Sequence, residues 1–339
     1  MPANSLASAF SLGVQSAKDT AATTYHTALA TISGADVLFD TQDPPLEHPA
    51  PATRSTLRKS APERVGYLAP VNATFLLHPR FIGRVLRAMG FAVSTVNNTT
   101  HYTHTFTIAA DASVAWMTAI HLWSGATDLQ RKITNLRGES LALNADLNQI
   151  QCVFQGVGLV EGNATGSETK VAEINTLLKP NTGSITFEVD GGGITTTYRG
   201  NQLNIAQQLD RDERVLHSSG RAGLSRLSID ATGTLQGIDI DLGTYEHWKE
   251  IKRGGTSGTA PSLTPVTGEL SWQFTSADNI SGAAVPYSLT TTVAEAAYDM
   301  VSPNANGQDL IRGDITWEMI DSSTPPLSIV LVNDQASYA

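Results

Sequence analysis

The sequence is poor in cysteine and in long apolar runs. Cys152 is the single cysteine of the 339 residues, so no disulfide can form within the chain, and folding in a reducing compartment is expected. The alternating stretch IQCVF around Cys152 predicts a buried, apolar role for the thiol. No apolar run approaches the ~20 residues that a membrane-spanning helix needs. The N-terminal stretch lacks a basic start and a sustained apolar segment, so we expect no secretory signal.

Charge is also scarce, and its balance is acidic. Charged residues make up 16% of the chain, and the net charge is −10. Proteins that grip nucleic acid present basic surface to the phosphates, so this balance disfavours a nucleic-acid-binding protein. Arg80, Arg84 and Arg87 share one short predicted helix, where a solvated helix face explains them. Abundant Gly, Thr, Ser and Asn favour a β-rich, turn-rich globular protein, and the length allows about two domains.

Alternation of apolar and polar residues, which is typical of half-buried strands, dominates the chain. Three pairs of alternating segments flank turn sequences and predict hairpins: 116–123 with 131–136, 141–145 with 149–160, and 184–189 with 194–198. Further strands are predicted in GTLQGIDIDL, GELSWQF, YSLTTTVAEAA, LIRGDITWEMI and LSIVLV.

Two short helices are predicted, at 79–90 and 244–255. Each has apolar residues at helical spacing and a glycine where it ends. Each follows a long predicted strand, from Val65 to Leu77 in the first half and from Leu227 to Leu242 in the second. The offset between the two strand–helix units is about 160 residues.

This repeat of architecture predicts a mainly β (α+β) protein with two tandem domains. The first domain is expected at 1–162 and the second at 163–339. They would be joined near 161–170, where the sequence is rich in Gly, Thr and Ser and shows no hydrophobic periodicity. Each domain would be a β-sandwich or barrel with one short helix. Long loops and an N-terminal arm would complete the chain.

The most charged stretch, QQLDRDERVLHSSGRAGLS at 207–225, is the first candidate for a functional site. Arg214 occupies a position where a calcium loop needs an oxygen ligand, and the phosphate-loop pattern GxxxxGK[ST] is missing. The charges alternate in sign, which favours ion pairs within or between subunits. The residues expected in this inter-subunit contact loop are Arg211, Asp212, Glu213, Arg214 and Arg221.

No catalytic, cofactor or metal residue is predicted elsewhere. His101 and His104 would lie on opposite faces of a strand without a Cys or acidic partner at ligand spacing, which disfavours zinc. Asp239 and Asp241 share one strand face, so a glycoside hydrolase remains an alternative, although a solvated polar face explains them as well. The sequence has no GxSxG elbow.

Six stretches, in chain order, carry a family pattern over nearly the whole sequence. Three lie in the first 113 residues: an opening segment at 10–30 with Asp19 as its acidic residue, a strand–Pro–helix–Gly unit at 71–91, and HYTHTF within 101–113. The fourth is a hairpin ending in Val-Gly at 136–158, and the sixth is a set of closing strands at 315–334. The fifth, at 201–251, runs from a strand through a polar loop and a Gly-Arg turn into a long strand and a helix. Their order and spacing resemble the tail tube (major tail) proteins of bacteriophages with long, non-contractile tails.

The resemblance implies a structural virion protein and no enzyme or cofactor. Chains with two tube-type domains would form trimeric, pseudo-six-fold rings that stack into a tube, with residues 1–24, Asp40–Pro62 and Gln207–Ser225 bridging the rings. Double-stranded DNA would pass through the lumen during ejection without specific binding, and an acidic lining would leave it free to slide.

The implied partners are other copies of the chain, the tape measure protein and tail completion proteins, with no membrane. The implied location is the virion tail, and the host cytoplasm during assembly. A β-rich carbohydrate- or receptor-binding tail module remains an alternative. The five Trp residues are scattered singly among strands, which disfavours an aromatic sugar platform.

Overall fold

The computed structural model describes residues 4–29, 68–110, 114–124, 129–163, 168–174, 176–189, 192–194, 198–211, 223–239, 242–254, 258, 260–264, 266–300, 312–321 and 325–338. These ranges are mainly β, as predicted, with 18 strands and two helices. The elements of the first half are β1 (Asn4–Val14), β2 (Thr24–Leu29), β3 (Ala69–Leu76), α1 (Ile82–Ala88), β4 (Phe91–Asn97), β5 (Tyr102–Ile108), β6 (Met117–Ser124), β7 (Leu129–Ala145), β8 (Ile150–Gly158) and β9 (Val160–Asn163).

The second half also contains one helix, with five strands before it and four after it, whereas three strands precede and six follow the helix of the first half. The elements of the second half are β10 (Thr169–Ala172), β11 (Lys179–Val189), β12 (Gly192–Ile194), β13 (Gly200–Leu209), β14 (Arg226–Asp239), α2 (Leu242–Arg253), β15 (Thr267–Asn279), β16 (Pro286–Met300), β17 (Arg312–Met319) and β18 (Leu327–Asn333). Neither helix of the described ranges is long and apolar enough to cross a membrane.

The locally encoded elements lie where the sequence predicts them. Gly90 after α1 and Gly254 after α2 have φ angles of +81° and +69°, the left-handed conformation that ends helices. The first two predicted hairpins are the antiparallel pairs β6–β7 and β7–β8. In the third, β11 pairs with β12, most of which was predicted as turn, and residues 195–197 of the predicted second strand lie outside the described residues. Two predicted segments, RKITNL and LALNA, are parts of the single 17-residue strand β7. This strand changes sheets near Asn135, whose φ is +54°.

The same succession of strand pairings occurs twice along the chain. In the first half it runs β2–β1–β6–β7–β8–β3, and β9 adds to the edge of β7. In the second half it runs β12–β11–β15–β16–β17–β14, and β18 adds to the edge of β16. All of these pairings are antiparallel. A helix follows β3 in one succession and β14 in the other.

Three strand pairings connect the halves directly: two antiparallel pairings, which are described next, and the parallel pairing of β10 with β2. In the first, which we call the junction, β13 pairs with the second part of β7 over six register positions. In the second, β18 pairs with β5, a strand of the β4–β5 hairpin that only the first half contains among the described residues. Because strands of both halves pair with each other, the pairing alone does not divide the chain. The boundary between 1–162 and 163–339 therefore stays a prediction.

Most of the buried apolar side chains form one continuous cluster that draws on both halves of the chain. Phe10 on β1 packs against Phe154 on β8 with ring centroids 6.1 Å apart, and Trp272 on β15 packs against Trp317 on β17 at 5.7 Å. Cys152 is fully buried among these side chains, as predicted, and burial raises the pKa of its thiol. The thiol is therefore protonated and unreactive at neutral pH.

Two segments that were predicted to be irregular contain strands. Asn4–Val14, within the expected N-terminal arm, is β1, which pairs on one side with β2 and on the other with β6. Apolar residues at every second position, including Phe10 and Leu12, are the sequence signal for this strand. In the expected joint at 161–170, β10 pairs in parallel with β2. Its four residues are too few for alternation to be read from the sequence.

Candidate functional site

A polar face extends across seven neighbouring strands and includes both sides of the junction. Alternate residues of β3, β8, β7, β13, β14, β17 and β16 point away from the core, and the strand register aligns them in rows. The first row is Leu76, Gln151, Asn144, Gln202, Thr234, Thr316 and Asp299. The second row is Thr74, Val153, Ala142, Asn204, Thr232, Glu318 and Ala297. The third row is Asn72, Gln155, Ser140, Ala206 and Asp230.

Uncharged amide and hydroxyl groups make up most of the polar face. Side chains of β7, β13, β14, β16 and β17 line one depression of about 840 Å³, with residues 261–264 at its rim. A second depression of about 580 Å³ lies on the same face and is lined by Ser140, Gln155, Gln208 and Asp230, among others. The face is therefore broad and hollowed; polar side chains predominate around the second depression, whereas apolar side chains such as Trp317 also line the first.

Carboxylates outnumber cations on the polar face of the described strands. The carboxylates are Glu139, Asp230, Asp299, Asp314 and Glu318, and the cations are Arg211, Arg312 and Lys252, which reaches the face from α2. Lys252 donates a hydrogen bond to Asp299, and Asp314 accepts one from the backbone N–H of Gly237 (2.8 Å). Such a face offers little positive charge to a polyanion.

The candidate contact loop begins at the edge of the second depression. Arg211 lies just after β13 and donates two hydrogen bonds, each 2.7 Å long, to the carboxylate of Glu139 on β7. The Arg211 side chain is 55% exposed, so this ion pair contributes little to stability. The loop is closed at its base by a backbone bond from Asp210 N–H to Ser225 O (2.8 Å). The other predicted loop residues, Asp212, Glu213, Arg214 and Arg221, lie outside the described residues, so the contact role stays a prediction.

The histidines and aspartates considered for metal or hydrolytic chemistry do not form a site in the described residues. His104 is buried on β5, where Nε2 lies 2.8 Å from Gln335 O and Nδ1 lies 2.8 Å from Thr95 Oγ1, while His101 precedes the strand. Burial lowers the pKa of His104. The described ranges contain no group of three or more His, Cys, Asp or Glu that could hold a metal. Asp239 is the last residue of β14, and Asp241 lies outside the described residues.

A partly buried cluster of ionisable residues, which we call the C-terminal cluster, was not predicted. The guanidinium of Arg80 forms a two-pronged ion pair with Asp334. Arg84, expected on a solvated helix face, is only 6% exposed; its guanidinium carbon lies 5.1 Å from the ring centroid of Tyr338, and burial lowers its pKa to about 10. Tyr338 donates a hydrogen bond to Arg80 O (2.8 Å) and accepts one from Asn333 Nδ2 (2.6 Å).

Glu173 completes the C-terminal cluster from the segment that links the halves. Its Oε1 accepts a hydrogen bond from Ile174 N–H (2.9 Å), whereas its Oε2 is buried without a hydrogen-bond partner among the described residues. Burial raises the pKa of Glu173 to about 7, although Arg80 and Arg84 act in the opposite direction. The cluster thus connects α1, the linking segment and the C-terminal residues. These are far apart in the sequence, so no local pattern could have predicted it.

A scan against models of protein families finds no match to this chain, and no curated protein sequence matches it.

Proposed function

We propose that the chain is a structural virion protein that polymerises into stacked rings and forms the tail tube of a bacteriophage with a long, non-contractile tail. The observation that carries the proposal is the junction. There, β7 of the first strand succession pairs with β13, which lies beside β14 of the second succession. One polar face therefore continues across both successions. A structure that joins its own halves edge to edge in this way has the means to join further copies by the same geometry.

The ends of this sheet support ring formation. Among the described strands, β3 pairs on one side only, with β8. Leu77 N–H donates to Ile150 O (3.0 Å) on the β8 side, and successive residues alternate, so the ring nitrogen of Pro70 faces the open side. Proline is tolerated at such an edge position because it has no N–H to donate. At the other end of this sheet lies β16, which occupies the same position in the second succession as β7 occupies in the first.

In this proposal three copies form one ring. Each copy contributes two successions, which gives a pseudo-six-fold ring. Closing the ring pairs the end of one sheet with the start of the next, and closure removes edges that would otherwise pair without control. Successive rings then add head to tail, which gives an open polymer rather than a closed oligomer.

The polar face would line the lumen of the tube. Its amide and hydroxyl groups interact with water, and its carboxylates repel phosphate, so double-stranded DNA would pass without being held. The chain would act as no enzyme and would need no cofactor. Its partners would be further copies of itself, the tape measure protein and tail completion proteins, in the virion tail and, during assembly, in the host cytoplasm.

Negative-stain electron microscopy of the purified protein over a range of concentrations tests the proposal. We expect hollow tubes, or rings that stack as the protein concentration rises, with six-fold density modulation in end views. A chain that stays monomeric at all concentrations, even when preformed tail tips are added as initiators, would contradict it. A monomer that instead binds glycans on an array would favour the carbohydrate-binding alternative.

A further inference from the structure

The β4–β5 hairpin shows how one half of the chain contacts the outer edge of the other. It follows α1 directly, and its strand β5 pairs with β18 from Thr107 opposite Ser328 to Tyr102 opposite Asn333. The strand β18 is the one that adds to the edge of β16. The element after the helix of the first succession thus covers the edge strand of the second.

The repeated pairing identifies the equivalent elements for a contact between copies. Because β9 adds to β7 as β18 adds to β16, β9 is the edge strand of the first succession. Among the described strands it pairs on one side only, with β7. Val160 on β9 is 43% exposed, and a side chain at Gly162 would meet nothing within 4 Å. Within the described part of the chain, β9 therefore has no strand on its outer side, and the face that carries Val160 and Gly162 is exposed.

The element that follows the second helix is short and ordered by its own hydrogen bonds. We call it the post-helix segment, which comprises Gly258 and residues 260–264. Ser262 N–H donates to Lys252 O (2.9 Å), and the Ser262 hydroxyl accepts from Thr264 N–H (3.2 Å). Between these two bonds, Leu263 is 100% exposed. A leucine held outward by a fixed backbone loses little further conformational freedom on binding.

We propose that the post-helix segment of one copy docks on β9 of the next copy. There, the side chain of Leu263 would pack against Val160, next to the exposed Gly162. This inference rests on the proposed function, because it applies the geometry of the β5–β18 contact to the next position around the ring. The occupant of the β9 edge is thus a second copy of the chain. The segment that makes this proposed contact is shorter than the β4–β5 hairpin. The apolar side chain of Leu263 would replace part of the backbone pairing seen between β5 and β18.

Cysteine cross-linking between separately prepared variants tests the contact. Leu263→Cys and Val160→Cys are each placed in the chain, whose native Cys152 is fully buried. The two proteins are mixed, allowed to assemble and oxidised. We expect disulfide-linked dimers from the mixture and none from either variant alone. The control replaces Leu263→Cys with Leu147→Cys, which is 62% exposed in the turn between β7 and β8 and should not cross-link.

The outcomes separate this inference from the proposed function. Tubes without the cross-link, or with equal cross-linking of Leu147→Cys, would overturn the docking contact and leave the tube intact. If the unsubstituted chain forms no rings or tubes, both proposals are wrong.

A second variant covers the case in which the cysteine variants do not assemble. Leu263→Ser should raise the protein concentration needed for tubes at least tenfold without changing the melting temperature of the monomer, because Leu263 is fully exposed there. Leu147→Ser serves as its control. An unchanged threshold concentration for Leu263→Ser would also overturn the contact.

Discussion

Asn204 on β13 lies opposite Ala142 on β7, and both side chains point to the polar face. On its other side Asn204 lies opposite Thr232 on β14. The residue is therefore in a strand that is paired on both sides, at the place where the two strand successions meet. The continuity of the polar face depends on the backbone hydrogen bonds of this strand.

Proline at this position should break the junction. Asn204→Pro removes a backbone donor from a doubly paired strand, and we expect the free energy of unfolding to fall by about 3 kcal/mol or more. Urea unfolding followed by circular dichroism measures this. Asn204→Thr, which keeps the donor and suits a strand, should change stability by less than ~1 kcal/mol. Unchanged stability of the proline variant would show that the β7–β13 pairing is not formed in solution.

Lysine side chains introduced on the polar face should cause the lumen to retain DNA. Asp230→Lys combined with Glu318→Lys places two ammonium groups on the polar face, and each can neutralise a phosphate. We expect tubes of this variant to retain short double-stranded DNA at low salt and to release it as salt rises. Co-sedimentation of labelled DNA with tubes measures the retention.

The control for this experiment makes the same change of charge at exposed residues outside the polar face. Glu269 and Asp278 are exposed on β15, outside the polar face. Tubes that carry Glu269→Lys and Asp278→Lys should retain much less DNA in their lumen. Equal retention by both double variants would contradict the assignment of the polar face to the lumen.

Local signals predicted the helices and hairpins, because their determinants lie within a few residues of each other. Gly90 ends α1, and the turn between β7 and β8 follows from the change of apolar phase around Asp146. The pairing of β5 with β18 joins residues about 220 positions apart, which no periodicity encodes. The register that aligns Gln202 with Asn144 and Thr234 on one face is likewise a property of the assembled sheet, which the sequence does not encode locally.

A charge swap decides whether Arg211 acts within one chain or between chains. Arg211→Glu places a carboxylate beside Glu139, and we expect tubes to be impaired while the monomer stays folded, because the exposed ion pair is worth about 1 kcal/mol or less. The double variant Arg211→Glu with Glu139→Arg restores the pair within the chain. Tubes recovered by the double variant would limit Arg211 to an intrachain role. Tubes still impaired would indicate a contact with another copy.

The C-terminal cluster should make stability depend on pH through Glu173. Because the pKa of this carboxyl is raised to about 7 from an ordinary value of 4.5, the folded state holds a proton that the unfolded state has already lost between these pH values. The stabilisation that this proton provides is fully present below pH 4.5 and is lost as pH rises through 7. The difference amounts to about 3 kcal/mol.

Glu173→Gln keeps the shape of the side chain and removes its titration. We expect the variant to be more stable than the unsubstituted protein at pH 8 and to differ little from it at pH 4.5. The comparison separates the effect of Glu173 from that of His26. Burial lowers the pKa of His26 to about 4, so His26 acts in the opposite direction: its contribution to stability is lost as pH falls below about 6.5. Urea unfolding at several pH values gives both curves, and Glu246→Gln on the exposed side of α2 is the matched control. If the Glu173→Gln profile runs parallel to that of the unsubstituted protein, the carboxyl is ionised at neutral pH and the linking segment is not buried against Arg80 and Arg84 in solution.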